Sequence, residues 1–348
     1  MPSPTPKVEH LYVHVPFCVA KCRYCAFHSR PGTETEMETF VADIARDLKT
    51  NADILRPTTI FIGGGTPSIL PLPLWERLLE AIGRARCPSA PLEWTIECNP
   101  ATVDGAKAAL WRRAGVNRIS LGIQSFDDAM LAGLGRIHNA AQAVETWRVL
   151  RDAGFDNLNL DLMFGLPGQT MSQWRDTLER ALALAPEHIS AYSLTVEEDT
   201  EFWGRVAPDG DLQWAMYEQL IATLTAAGYH HYEVSNFAKP GRECVHNLAY
   251  WRGEDYLGLG PSAVSTVGLR RWTVGGDEEK LTEQIKRSER IAFGLRMLDG
   301  VSGKLVRGQW DAEIERLVAD NLVEWRDNRL KLTRRGLRYA DEVAAEFV

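Results

Sequence analysis

Over its first 240 residues the chain repeats one unit: a short apolar strand, a loop of unusual composition, then an amphipathic helix. Strands are expected over 11–15, 59–62, 94–97, 118–121, 157–162 and 188–193. Helices fall between them, for example over 36–54, 74–85, 103–113, 140–153 and 172–184. Gly115, Gly154 and Gly228 follow three helical patterns, where a left-handed cap favours glycine. Strands separated by helices pair in parallel, so the predicted fold class is α/β, with a sheet of six strands closed or partly closed into a barrel. In such folds chemistry collects at the C-terminal strand ends. The unusual residues do fall there: a cysteine loop after the first strand, Gly63-Gly-Gly-Thr-Pro67, Glu97-Cys-Asn-Pro100, Gly122-Ile-Gln124 and Asp161.

From about residue 278 the pattern changes. Helices are expected over 280–297, 309–320 and 335–347, with short strands at 322–325 and 330–332 around the turn Asp327-Asn328. That combination predicts a small winged-helix-like unit. The expected organisation is therefore a barrel over 1–240, a connection over 241–277, and the small domain over 278–348. A net charge of −8, with Asp341, Glu342 and Glu346 on the last helix, speaks against nucleic acid as a partner. A lid or docking role suits this unit better. No signal peptide is visible at the start, and no apolar run reaches the roughly 20 residues of a bilayer span. A cytoplasmic location is expected, with transient membrane association left open.

Three of the six cysteines lie within eight residues, as Cys18-Val-Ala-Lys-Cys22-Arg-Tyr-Cys25. In a reducing compartment such clustering points to metal binding. Structural zinc takes four ligands, commonly as paired C-x2-C units, and only three thiolates are offered here. A cubane iron–sulfur cluster on three cysteines keeps one iron open to an outside ligand. Lys21 and Arg23 add positive charge beside it. Cys87 and Cys98 are expected to be structural, with a site role left open for Cys98 beside Glu97. The consecutive glycines at 63–65 let backbone approach a ligand, or they make a tight strand-to-helix turn. Glu97 suits a ribose diol or a salt bridge. Asp161 on an apolar strand needs a partner, and Arg136 is the expected one.

The cysteine loop, with Leu11-Tyr-Val-His-Val-Pro-Phe-Cys18 before it and the loops after it, resembles the radical SAM superfamily. Within that superfamily the likeness is to the coproporphyrinogen III dehydrogenase (HemN)-like branch, and it runs from about His10 through nearly the whole chain. The resemblance implies a partial (β/α)6 barrel with a [4Fe–4S] cluster on Cys18, Cys22 and Cys25. It implies S-adenosylmethionine (SAM) bound through its amino and carboxylate groups to the open iron. Gly64, Gly65 and Thr66 match positions that contact the SAM methionine moiety, Glu97 a ribose-binding position, and Tyr12 another SAM contact. In the dehydrogenase the positions matching Gln124, Arg136 and Asp161, with those of Tyr24, Gly65, Thr66 and Thr195, bind a second SAM or line the substrate cavity.

Three features bear on which member of the branch this chain resembles. The dehydrogenase has a further cysteine where this chain has Phe27, and a longer segment before the first strand. Cys244-Val-His246-Asn247-Leu-Ala-Tyr250-Trp251 is similar to the HNxxYW motif of the HemW haem chaperones. That likeness implies haem as a ligand, with His246 on the haem iron and Tyr250 and Trp251 shaping the site. Cys244 is an alternative or additional soft ligand. The expected function is haem binding and transfer to an acceptor such as a respiratory haem protein, with an electron donor needed if SAM is cleaved. The enzymatic alternatives are oxygen-independent decarboxylation of coproporphyrinogen III, or another radical SAM reaction on a porphyrin.

Overall fold

The computed structural model describes residues 7–85 and 93–348, so Cys87 lies outside the described residues. Every expected strand and helix of the repeating unit is present. β1 (Val8–Val15) leads to α1 (Glu34–Thr50), β2 (Leu55–Gly64) to α2 (Leu72–Ala85), and β3 (Glu93–Cys98) to α3 (Gly105–Ala114). β4 (Arg118–Gln124) is followed by α4 (Asp128–Gly133) and α5 (Ala140–Asp152). β5 (Leu158–Phe164) leads to α6 (Met171–Ala183), and β6 (His188–Ser193) to α7 (Gly210–Ala226). Thr33, Asn139 and Thr170 start α1, α5 and α6 with capping boxes, each closed by a Glu or Gln three residues on. Gly115, Gly154 and Gly228 take φ of +101°, +89° and +80°, the left-handed stops their positions predict.

β1 to β6 pair in parallel in chain order, but the sheet continues past both ends. β7 (His230–Glu233) and β8 (Asn236–Ala238) extend it antiparallel beyond β6. After α8 (Val245–Trp251), β9 (Tyr256–Leu259) returns to pair parallel with β1 on its free side. β10 (Val264–Val267), β11 (Arg270–Thr273) and β12 (Glu278–Lys280) continue antiparallel from there. The result is an open sheet of twelve strands with β12 and β7 at its edges. Residues 241–277, expected as a connection, thus supply a helix and three strands of the main sheet. Each of these strands has only four residues, too few for an alternation to register in sequence.

The small C-terminal unit holds α9 (Glu283–Gly294), β13 (Val301–Ser302), α10 (Gly303–Val306), α11 (Asp311–Ala319), β14 (Val323–Arg326), β15 (Arg329–Leu332) and α12 (Ala340–Ala345). Its strands form a separate antiparallel sheet in the order β13-β15-β14. Leu295, Trp310, Ile314, Leu330 and Phe347 belong to a core of its own. Asp327 and Asn328 both sit at positive φ (+51° and +57°), as a two-residue hairpin turn requires. No helix among the described residues is long and apolar enough to cross a membrane.

Alternation along β1 to β6 sorts the side chains. Leu11, Val13, Ile60, Ile62, Trp94 and Ile96 are fully buried and pack with the helices. Apart from Phe61, the residues between them that face the interior are mostly polar: His10, Thr59, Glu93, Arg118, Asn159 and His188 near the N-terminal ends, Glu97 and Asp161 further along. A parallel sheet covered on both faces is usually apolar throughout, so this interior has to satisfy itself. Asn159 Nδ2 donates to Ser120 Oγ and to Asp161 Oδ1, both at 2.7 Å. The His188 ring bridges Asn159 Oδ1 at 2.6 Å and the Tyr232 hydroxyl at 2.8 Å.

α8 packs at the N-terminal end of this interior. Glu93, 3% exposed, accepts from the backbone N–H of Val245 at 2.8 Å and of His246 at 3.0 Å, and from the Cys244 thiol at 3.4 Å. One carboxylate therefore meets the orphan donors of the first helical turn. The buried Arg118 guanidinium shares that space with Glu93 and Cys244. Glu93→Ala removes these acceptor bonds and part of Arg118's compensation, and we expect it to cost roughly 3 kcal/mol of unfolding free energy. Denaturant melts check this, with Glu93→Gln losing less. A loss under about 1 kcal/mol, the scale of a single ordinary hydrogen bond, would show that the carboxylate is not what holds α8.

Candidate cluster and cofactor site

A cavity of about 450 Å³ opens at the C-terminal ends of the parallel strands. Cys18, Cys22 and Cys25 line it, as do Gly64, Gly65, Thr66 and Glu97. Tyr24, Gln124, Arg136, Asp161 and Thr195 complete the set of sequence-predicted residues that the fold brings there. Tyr12 is not among the lining residues. Its hydroxyl is bonded to His14 Nδ1 at 2.9 Å and its ring lies 6.2 Å from Phe61, deeper in the barrel. Burial first, then the nearby Glu97 carboxylate, holds the Tyr12 phenol above its ordinary pKa.

The cysteine loop leaves β1 and is tied back on itself. Cys18 N–H donates to Arg30 O at 3.0 Å and Arg30 N–H to Pro16 O at 2.9 Å. Two cationic or hydroxylic donors already address the sulfurs: Thr66 Oγ1 lies 3.3 Å from Cys18 Sγ, and Arg136 Nη1 lies 3.6 Å from Cys22 Sγ. Donors to sulfur stabilise thiolate charge, which suits metal ligation. Among the described residues no three His, Cys, Asp or Glu side chains are grouped to hold a single metal ion. A cubane makes a different demand, because each cysteine binds a different iron at a different corner. Three thiols lining one cavity fit a cluster of this kind.

The glycine loop is dictated by protein atoms as much as by a ligand. A Cβ on Gly63 would stand 2.9 Å from Glu97 Oε2, and one on Gly65 would stand 2.7 Å from Phe17 O and 3.0 Å from Cys18 Sγ. Gly64, at φ +108°, donates its N–H to Glu97 Oε2 at 3.2 Å. Backbone bonds from Gly65 to Val15 O (2.8 Å) and from Thr66 to Phe17 O (2.7 Å) bind this loop to the start of the cysteine loop. The two loops are thus one unit.

The expected Asp161–Arg136 pair is not formed. Asp161 accepts from Ser120 Oγ and Asn159 Nδ2, whereas Arg136 donates to Gly122 O at 2.6 Å and reaches Cys22. The reason lies in strand parity, which turns Asp161 toward neighbours on β4 and β5 while Arg136 enters from the loop after α4. Burial raises the Asp161 pKa, opposed by those bonds and by Arg118. Burial and the proximity of Asp161 push Glu97 up to about 8, against the Gly64 bond and Arg118. Gln124 ends β4 at φ +69°, a left-handed non-glycine residue at a register shift that aims its side chain into the cavity.

The HNxxYW segment lies at the other end of the interior. His246 Nδ1 is 2.8 Å from Thr59 Oγ1, and its ring lies 5.2 Å from Phe61 and 6.2 Å from His10. Thr59 is five residues below Gly64 on β2, roughly 16 Å at the strand rise. Burial, then His10 and Arg118, lowers the His246 pKa to about 3, so its imidazole is neutral. Its Nε2 takes no hydrogen bond among the described residues. Tyr250 faces outward, its ring 5.4 Å from Phe293 and 5.3 Å from Tyr256, and Trp251 lies under the Arg296 guanidinium at 4.9 Å. Cys244 is fully buried with its thiol on Glu93, so it faces no open surface. A neutral imidazole is a chemically suitable axial ligand for haem iron, but the His246 ring turns inward on Thr59 and Phe61 whereas Tyr250 faces outward. The cavity beside Tyr250 holds about 230 Å³, too little to enclose a porphyrin, and His246 does not line it.

Several residues at these sites were not singled out in the sequence. Met163 and Tyr192 line the upper cavity from β5 and β6, and continuing the strand alternation to the strand ends would have found them. Asn99 caps the turn after β3 and lines the same cavity. His10, Thr59 and Glu93 needed the tertiary fold.

Comparison with known proteins agrees with this geometry. The model of the radical SAM superfamily matches residues 12–181. The heme chaperone HemW of Escherichia coli (strain K12) is 45% identical over 264 residues, covering 74% of this chain and 70% of its own. The heme chaperone HemW of Bacillus subtilis (strain 168) is 33% identical over 378 residues, covering 98% of this chain and 99% of its own. Among solved structures, coproporphyrinogen III oxidase (HemN) of Escherichia coli, a radical SAM enzyme, superposes with a TM-score of 0.83 at 22% identity, covering 99% of this chain and 91% of its own. At that identity the likeness speaks for the fold alone. With cysteines, glycine loop and inward carboxylate assembled at one strand end, and with a relative matched along almost its whole length, the chain belongs to the radical SAM superfamily and, within its HemN-like branch, to the HemW family.

Proposed function

We propose that this chain holds a [4Fe–4S] cluster on Cys18, Cys22 and Cys25, binds SAM beside it, and carries haem at α8 for delivery to an acceptor protein. The carrying observation is that one polar barrel has a three-thiol cavity at one end and His246, held through Nδ1 by Thr59, at the other. The names of the relatives support haem as the cargo. In this reading Gly64, Gly65 and Thr66 receive the methionine moiety of SAM, and Glu97 receives its ribose. Tyr24, Gln124, Arg136, Asp161 and Thr195 form the remaining wall, and Tyr12 supports it from behind through His14. A cluster in this place would supply an electron to bound SAM, and an electron donor is needed if SAM is cleaved. Free thiols in such a site suit a reducing, cytoplasmic setting. The acceptor class is a respiratory haem protein.

Phe27 favours carriage over decarboxylation of coproporphyrinogen III. It is 69% exposed on the cavity rim, where the resemblance places a further cysteine in the decarboxylating dehydrogenase. No thiol is therefore offered at that point of the rim.

Two measurements test the reading. Cys18→Ala, reconstituted anaerobically, is expected to fall from about four iron and four sulfide per chain to near zero while keeping its far-ultraviolet circular dichroism. A full cluster complement in that variant would remove the ligand assignment. Haem titration of the reconstituted wild type is expected to saturate, with His246→Ala binding at least about tenfold more weakly. Equal affinity in the variant would dismiss His246 as ligand, and no haem binding by the wild type would end the carrier reading.

A further inference from the structure

Arg136 differs from the other cavity residues in that its guanidinium is aimed at sulfur. Nη1 lies 3.6 Å from Cys22 Sγ, Nη2 donates to Gly122 O at 2.6 Å, and Nε is buried with no partner among the described residues. Its charge is not spent on Asp161, which takes its hydrogen bonds from Ser120 and Asn159. The backbone that carries Arg136 is docked on the cysteine loop. Arg23 N–H donates to Leu134 O at 3.1 Å, and Arg136 N–H turns back to Leu131 O at 2.9 Å. Gly135 sits between these bonds at φ +74°, where a Cβ would stand 3.3 Å from Arg23 Cγ and 3.8 Å from Cys22 Cα. The loop after α4 therefore lies close against the middle cysteine and brings a cation to it.

We infer that Arg136 is a positioning residue for the cluster, donating to the Cys22 ligand and raising the reduction potential of the iron–sulfur group. The inference rests on the cluster reading above and gives Arg136 a role apart from any contact with SAM. Thiolate ligands make such a cluster anionic, and an added electron makes it more so. A fixed cation and a hydrogen bond at a ligand sulfur both stabilise the reduced level more than the oxidised one. The guanidinium suits this task because it is always charged and its planar fork spans two acceptors in fixed directions, here a carbonyl and a sulfur. Lys21 is a cation of the same loop, but it is exposed and water screens it. Arg136 acts across a short, partly buried contact where screening is weaker. Taking its charge away therefore makes the cluster harder to reduce.

The test is a redox titration of the anaerobically reconstituted protein without SAM, by photochemical reduction with mediators. It reads the midpoint potential and the electron paramagnetic resonance of the reduced cluster in wild type, Arg136→Met, Arg136→Lys and Lys21→Met. Iron and sulfide content reports cluster occupancy in each. Arg136→Met keeps the length and removes charge and donor, so the reduction equilibrium is expected to move about tenfold against the reduced form, about 59 mV downward for one electron. Arg136→Lys is expected to restore part of that shift, because an ammonium keeps the charge but cannot hold carbonyl and sulfur in one plane. Lys21→Met is expected to shift the potential by less than Arg136→Met. A wild-type potential in Arg136→Met, or an equal shift in Lys21→Met, would overturn the inference and leave the cysteine assignment standing. If Arg136→Met takes up no cluster, Arg136→Lys decides, and a wild-type potential and spectrum there overturn the inference. A wild type that holds no cluster ends the reading beneath and the inference with it.

Discussion

The structure depends on a parallel sheet whose hidden face is polar. Burying a carboxylate or guanidinium is costly unless partners are supplied in place, and here they come from the sheet and from the elements packed at its lower end. Glu93 is spent on the first turn of α8, Asn159 on Ser120, Asp161 and His188, and His188 in turn on Tyr232. Such an interior cannot collapse onto itself as an apolar barrel would. It keeps space and unspent polarity at the C-terminal strand ends, where Glu97 and Asp161 face the cavity that the cysteines line.

That arrangement puts the cysteine cavity and α8 at opposite ends of one axis. The upper end joins the cysteine and glycine loops through Gly65 and Thr66, with Glu97 holding Gly64, so a change to one loop is felt by the other. The lower end is held by α8, whose histidine points toward Thr59 and Phe61 while its tyrosine packs outward against Phe293. The inner strands connect the two ends: Tyr12 and His14 lie between His10 below and the cysteine loop above, with His14 Nε2 2.8 Å from His28 O. On the proposed reading, haem and the cluster with SAM would need no shared cavity, only a common scaffold.

Much of this was legible in the sequence because the relevant constraints are local. The strand–helix rhythm, the three glycine caps and the Asp327-Asn328 hairpin each occupy a few consecutive residues with one favoured backbone. The cysteine spacing and the glycine run are local as well, and both lie where they were expected. What depended on the tertiary fold was not legible. Arg136 and Asp161 looked like natural partners, yet neighbours on the sheet took each of them. β9 is joined to β1 across most of the chain, and His10 meets a glutamate 244 residues away, so neither leaves a mark at short range. The polar alternation of β1, His10-x-Tyr12-x-His14, was visible, but its meaning required knowing that the inner face is enclosed.

The central claim is that haem is carried in order to be handed on, and transfer kinetics address it most directly. Haem-loaded protein would be mixed with increasing amounts of an apo haem protein of the respiratory type, and the Soret band followed in time. The account predicts a transfer rate that rises with acceptor concentration and exceeds spontaneous haem loss to a neutral scavenger, because delivery proceeds through contact between the two proteins. A rate independent of the acceptor and equal to spontaneous loss would contradict it.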